Sequence, residues 1–166
     1  MPAPSSSGGG DEVDVVSLMR DDPKVGDYVK KSLAAPCAAD AYPVEVSYAS
    51  LTGGKSRDVI VNVLTCADSV GIGSYVYRRD RGAPGGYENV FADEQPSVSA
   101  AVNNGELETS TQTYKAGDKV GYPSGEDVTI YRWADGRFTR RASHYTDYSK
   151  TTVNGVEPDD GTGSEG

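Results

Sequence analysis

Histidine and cysteine are scarce in this chain, one and two of 166 residues, and the scarcity excludes much familiar chemistry. Two cysteines are too few for a zinc site of their own, and the spacing of Cys37 and Cys66 matches no zinc or redox motif. The single histidine, His144, sits at the end of the last expected strand. A Ser–His–Asp arrangement would need Ser143 and Asp147 to converge on it, and no nucleophile-elbow sequence is present. A solvent-facing histidine is the simpler reading. Basic residues are also in deficit: 16 Lys and Arg against 25 Asp and Glu give a formal net charge of −9. A surface of that sign repels polyanions, so nucleic acid is not an expected partner. No apolar run reaches the length of a membrane-spanning helix.

What remains is acidic, tyrosine-rich and punctuated by turns. The first residues, 1–11, form a Ser/Gly-rich stretch that reads as a flexible tether. A Met in front of such a tract reads as a start placed where a leader has been removed, leaving the segment that follows a signal or lipid-anchor cysteine. Residues 146–166 are Asp, Glu, Gly, Thr and Ser with almost nothing to bury, and are expected to be a disordered acidic tail. Residues 12–145 are then a single domain of ordinary size.

Within it, Asp22-Pro23 is a helix start, with Asp as the cap and Pro in the first turn. Val25, Tyr28, Val29 and Leu33 follow at helical spacing and predict one core-facing stripe, ended by Pro36. A shorter helical turn around Val13 to Met19 is expected before it. The period then changes to two at Val44, Val46 and Tyr48. Asp58 to Cys66 is the densest β-branched run. Val59, Val61 and Val63 point to one face, Ile60, Asn62 and Leu64 to the other, so this is expected to be an interior strand covered on both sides.

Further strands are predicted at 74–78, 87–91, 98–102, 106–114, 128–133 and 137–143. Asn104-Gly105 and Asp135-Gly136 mark two-residue hairpins, and Trp133 and Phe138 flank the second. Val76-Tyr77-Arg78 is echoed 54 residues later by Ile130-Tyr131-Arg132. The fold class is therefore α+β: one N-terminal helix, or two short ones, packed on an antiparallel β-meander of about eight strands.

Function is harder to read. Acidic residues are abundant, but nothing selects a pair for glycoside hydrolysis. The turn from Leu51 to Asp58 carries Lys55 and Arg57 where a calcium loop needs carboxylates. No catalytic residue, no metal ligand and no cofactor is expected. Arg78, Arg79 and Arg81 cluster, as do Arg137, Arg140 and Arg141. Both triplets are most simply solvated strand ends, the alternative being a partner or lipid-headgroup patch. Tyrosine outnumbers phenylalanine 11 to two. Tyr75, Tyr77 and Tyr131 are the candidate binding face, for a protein partner or for cell-wall glycan, if the two echoing hairpins lie side by side. Cys37 and Cys66 are either two unrelated thiols or one disulfide closing a loop of about 30 residues; export would favour the bridge.

The order of segments resembles a known family. Leu18-Met19-Arg20-Asp21-Asp22-Pro23-Lys24-Val25 is followed by Pro36-Cys37-Ala38-Ala39-Asp40-Ala41-Tyr42-Pro43-Val44, then Leu51-Thr52-Gly53-Gly54 and Val61-Asn62-Val63-Leu64-Thr65-Cys66. Gly73-Ser74-Tyr75-Val76-Tyr77-Arg78 and Tyr122-Pro123-Ser124-Gly125-Glu126 complete the run. Over roughly residues 12–148 it resembles actinobacterial lipoproteins of the CseA type. The resemblance implies a non-enzymatic, exported protein, lipid-anchored on the outer face of the cytoplasmic membrane. It also implies restraint of a sensor kinase and response regulator that control an envelope-stress sigma factor, with the kinase's extracellular domain as partner; separately, the chain is expected to be a monomer. A binding module for cell-wall glycan or muropeptide is the alternative. The lipobox cysteine is absent from this sequence, so the membrane anchor rests on the resemblance alone. The family supplies no active site, and implies only the pairing of Cys37 with Cys66.

Overall fold

The computed structural model describes residues 13–119 and 121–148. The expected tether, and the tail from residue 149 onward, lie outside the described residues. Thr146 and Asp147, assigned in sequence to the tail, belong instead to the last strand.

Two short helices open the fold. The first, α1 (Val15–Arg20), is capped by Asp14, whose Oδ1 accepts the Ser17 N–H at 3.1 Å. The second, α2 (Asp27–Ser32), starts later than Asp22-Pro23 led us to expect. Asp22 is drawn into tertiary contacts: its Oδ1 accepts from the Lys24 N–H, and its Oδ2 accepts from the Tyr77 hydroxyl and the Asn89 amide. These hold residues 22–25 as a turn. Val25, Val29 and Leu33 are buried as the periodicity required, but Tyr28 is 66% exposed and leaves the stripe. Arg20, at the end of α1, donates from Nε and a terminal nitrogen to the Leu33 carbonyl at 3.0 and 2.6 Å. A cation therefore closes the C-terminal end of α2, where the macrodipole favours it.

Eight strands follow: β1 (Val44–Ala49), β2 (Asp58–Leu64), β3 (Gly71–Arg79), β4 (Tyr87–Asp93), β5 (Val98–Asn103), β6 (Glu106–Thr113), β7 (Gly125–Ala134) and β8 (Arg137–Asp147). They do not form the single meander expected. Strands β1-β2-β3-β4 make one antiparallel sheet and β5-β6-β7-β8 a second. The break has a local cause. After β4 the chain turns through Ser97, which has a left-handed φ of 61°, and the Ser97 N–H donates to the Gly71 carbonyl at 2.7 Å. This lays β5 across the face of the first sheet at Gly71 rather than beside β4. A Cβ on Gly71 would lie 1.9 Å from the Val98 carbonyl oxygen, so only glycine permits the crossing.

The layers are thus helices, first sheet, second sheet. On one side of β2, Val59, Val61 and Val63 pack with Val15, Met19, Val25, Val29 and Leu33 of the helical segment and with Tyr75 and Tyr77. On the other side Ile60 and Val76 pack with Leu51, Ala100 and Leu107, joined by Phe91, Tyr131 and Phe138. Full burial of each aliphatic side chain is worth roughly 1.5–3 kcal/mol, so the strand covered on both faces anchors both cores. Cys37 and Cys66 are joined by a disulfide, 29 residues apart, which ties the segment after α2 to the chain just past β2.

The sequence echo has a structural counterpart. The β3–β4 ladder slips between Val76 and Tyr77, and the β7–β8 ladder slips between Ile130 and Tyr131. The irregularity falls at the same place in both copies of the motif, in the last hairpin of each sheet.

Candidate functional site

The tyrosines proposed as a binding face are not one. Tyr75 and Tyr77, at 0% and 1% exposure, lie beneath the helical segment because β3 is an interior strand. Their hydroxyls donate to Glu94 Oε2 at 2.6 Å and to Asp22 Oδ2 at 2.7 Å. Burial, and then these bonds to carboxyl groups, push both phenols well above the usual tyrosine range. Tyr131 belongs to the other sheet and packs edge-on against Phe91, with ring centroids 5.0 Å apart. The echoing hairpins lie in different sheets, so the three rings share no face, and those of Tyr75 and Tyr77 are buried. His144 is exposed on β8 opposite Val128.

A different group of residues converges. The turn after β1 and the end of β3 meet at one end of the first sheet, because antiparallel pairing sets Val59 opposite Tyr77 and so brings Asp58 near Arg78. Asp58 is 1% exposed and organises the turn. Its Oδ2 accepts the Leu51 and Thr52 N–H groups at 2.8 and 2.9 Å, and its Oδ1 accepts the Thr52 hydroxyl at 2.9 Å. The Thr52 hydroxyl accepts in turn from Arg78 Nε at 3.1 Å. The Arg78 guanidinium also lies over the Trp133 ring, 5.9 Å from its centroid. A buried carboxyl group, a hydroxyl and an indole therefore fix the orientation of one arginine.

Around it a cleft of about 280 Å³ is lined by Thr52, Gly54, Lys55, Arg78, Arg79 and Arg81, among others. Arg79 stacks over Tyr87 at 5.4 Å. Among the described residues the only ion pairs run from Glu106 to Arg132 and Arg141, so none of the four cations in the cleft is neutralised by a paired carboxylate. In a chain with nine more acidic than basic residues, four unpaired cations in one cleft stand out. The sequence showed the arginine cluster as strand ends. That Lys55 and Thr52 join it follows from the pairing of β2 with β3, which sets Val59 opposite Tyr77, and no local signal in the sequence marked it. The described residues contain no group of three His, Cys, Asp or Glu placed to hold a metal ion.

Comparison with known proteins adds a strong likeness. The chain is 51% identical over 148 residues to the lipoprotein CseA of Streptomyces coelicolor, and 50% identical over 148 residues to the lipoprotein CseA of Streptomyces avermitilis. In each case 89% of this chain is matched. The chain belongs to the CseA-type lipoprotein family. It spans 64% and 66% of the lengths of these two CseA proteins, a little under two thirds. The relatives' name, lipoprotein, implies an exported protein held at a membrane. No family model matches the chain, and no solved structure matches it.

Proposed function

We propose that this protein is a non-enzymatic lipoprotein, held on the outer face of the cytoplasmic membrane, that restrains a sensor kinase and response regulator controlling an envelope-stress sigma factor. The observation that carries this reading is the identity of about one half, along 89% of the chain, to two proteins named lipoprotein CseA. The Cys37–Cys66 bridge supports it, since disulfides persist in oxidising, extracytoplasmic surroundings.

The protein acts as a monomer through the extracellular domain of the kinase. Its effect is a population shift: it binds the inactive sensor more tightly than the active one, and restraint is limited to that difference in affinity. Stress that breaks the contact releases the sensor. A reporter driven by the sigma factor's promoter tests this. Deleting the gene is expected to raise basal reporter output, and restoring the exported, anchored protein is expected to lower it again. Unchanged output on deletion contradicts the reading.

A further inference from the structure

We propose that the cleft formed by Thr52, Lys55, Arg78, Arg79 and Arg81 binds the phosphate group of a phosphoester. Three observations carry the inference, and none depends on the regulatory role proposed above. The first is charge. Four cationic side chains line one cleft with no ion pair to any described carboxylate, while the single acidic lining residue, Asp58, has its oxygens occupied by Leu51, Thr52 and the Thr52 hydroxyl. Like charges gathered in one cleft repel one another, and a bound anion relieves that repulsion.

The second is order. Arg78 is held by Thr52 and Trp133, so its planar donor fork is already positioned. A fixed guanidinium recognises oxygen pairs on phosphate at little further entropic cost. The third is size and backbone. About 280 Å³ admits a tetrahedral headgroup, and the cleft rim is the exposed turn Gly53-Gly54-Lys55-Ser56, where Gly53 has φ 77° and Gly54 lies 3.8 Å from an Arg78 terminal nitrogen measured from its ideal Cβ. A phosphate dianion matches a cleft lined by four cations better than a single carboxylate does, and a phosphodiester, singly charged like a carboxylate, still presents its oxygens tetrahedrally to several donors at once. Nucleic acid is disfavoured by the overall negative charge.

The phosphate has two sources, an anionic phospholipid headgroup or a soluble phosphoester, and the experiment separates them. Isotope-labelled protein is titrated with inorganic phosphate, and with chloride at matched ionic strength, while amide resonances are followed. It is then sedimented with vesicles of phosphatidylglycerol and of phosphatidylcholine. Phosphate, and not chloride, is expected to shift the amides of Gly53, Gly54 and Ser56. The shifts are expected to disappear in Lys55→Gln/Arg79→Gln/Arg81→Gln. Lys55→Glu/Arg81→Glu, which alters only exposed side chains, provides a second variant if the first loses its dispersed spectrum. Capture by phosphatidylglycerol vesicles alone assigns a lipid source, and phosphate shifts without vesicle capture assign a soluble one. The proposal is overturned if neither phosphate nor phosphatidylglycerol is bound, or if the folded variants respond as the wild type does.

Discussion

The side-chain amide of Asn62 bonds both backbone groups of Ala100: Nδ2 donates to its carbonyl at 2.9 Å, and Oδ1 accepts its N–H at 2.8 Å. The same Oδ1 accepts the Ser74 hydroxyl at 2.6 Å. One side chain therefore does for the edge of β5 what a neighbouring strand would do, and joins the two sheets through a buried polar contact. Asn62→Leu keeps the volume but strands an N–H, a carbonyl and a hydroxyl. Each buried group left unpaired costs about 1–3 kcal/mol, so with three groups stranded a loss of at least about 3 kcal/mol is expected. Urea unfolding measures it, and faster exchange of the Ala100 amide locates it. A loss well under about 1 kcal/mol would show that the contact does not join the sheets.

Gly71 is the second joint. Because its ideal Cβ falls 1.9 Å from a backbone oxygen of Val98, no side-chain rotation relieves the clash. Gly71→Ala is expected to lower stability by about 1–3 kcal/mol or more, as overpacking does, and to shift resonances along both β3 and β5. A variant as stable as the wild type, with shifts confined to residue 71 and its neighbours, contradicts the crossing described.

How much of this could be read in advance depends on range. The alternation of Val59, Val61 and Val63 with Ile60, Asn62 and Leu64 predicted a strand covered on both sides, and it is covered, by helices and by a second sheet. Asn104-Gly105 and Asp135-Gly136 predicted hairpins, and all four residues have the positive φ that such turns demand. Those are local signals. The failures lie where a partner is remote. Asp22 looked like a helix cap, but its carboxyl group is claimed by Tyr77 and Asn89, 55 and 67 residues away. Tyr75 and Tyr77 looked half-exposed, because a Tyr-Val-Tyr alternation fits a wet face as well as a buried one. Which face the helices cover is decided by packing. Asn62 carried no mark that it would bond a strand 38 residues on.

The disulfide is expected to lower the mass of the isolated protein by about 2 Da relative to its reduced form. Closing a loop of 29 residues in the unfolded chain is worth roughly 3–4 kcal/mol, so reduction should lower the urea midpoint accordingly. Labelling of both cysteines in the native, unreduced protein would contradict the bridge.

Alkaline pH should weaken the fold through Tyr75 and Tyr77. Both phenols are held protonated above the usual range, by burial and then by bonds to Glu94 and Asp22. An unfolded tyrosine ionises near about pH 10. The unfolded state therefore loses these protons first, and the stabilisation is complete below about pH 10 and declines as pH rises beyond it. Tyr75→Phe/Tyr77→Phe is expected to be less stable at neutral pH, because Asp22 and Glu94 each lose a donor, yet to lose less additional stability between about pH 9 and 11. Identical pH profiles for the variant and the wild type would contradict the assignment.

The regulatory reading turns on direct contact with a sensor, and a titration addresses that most directly. Isotope-labelled protein mixed with the extracellular domain of the kinase is expected to show saturable shifts at a contiguous surface patch, with the buried tyrosine resonances unmoved. No shift at millimolar sensor domain would contradict restraint by contact.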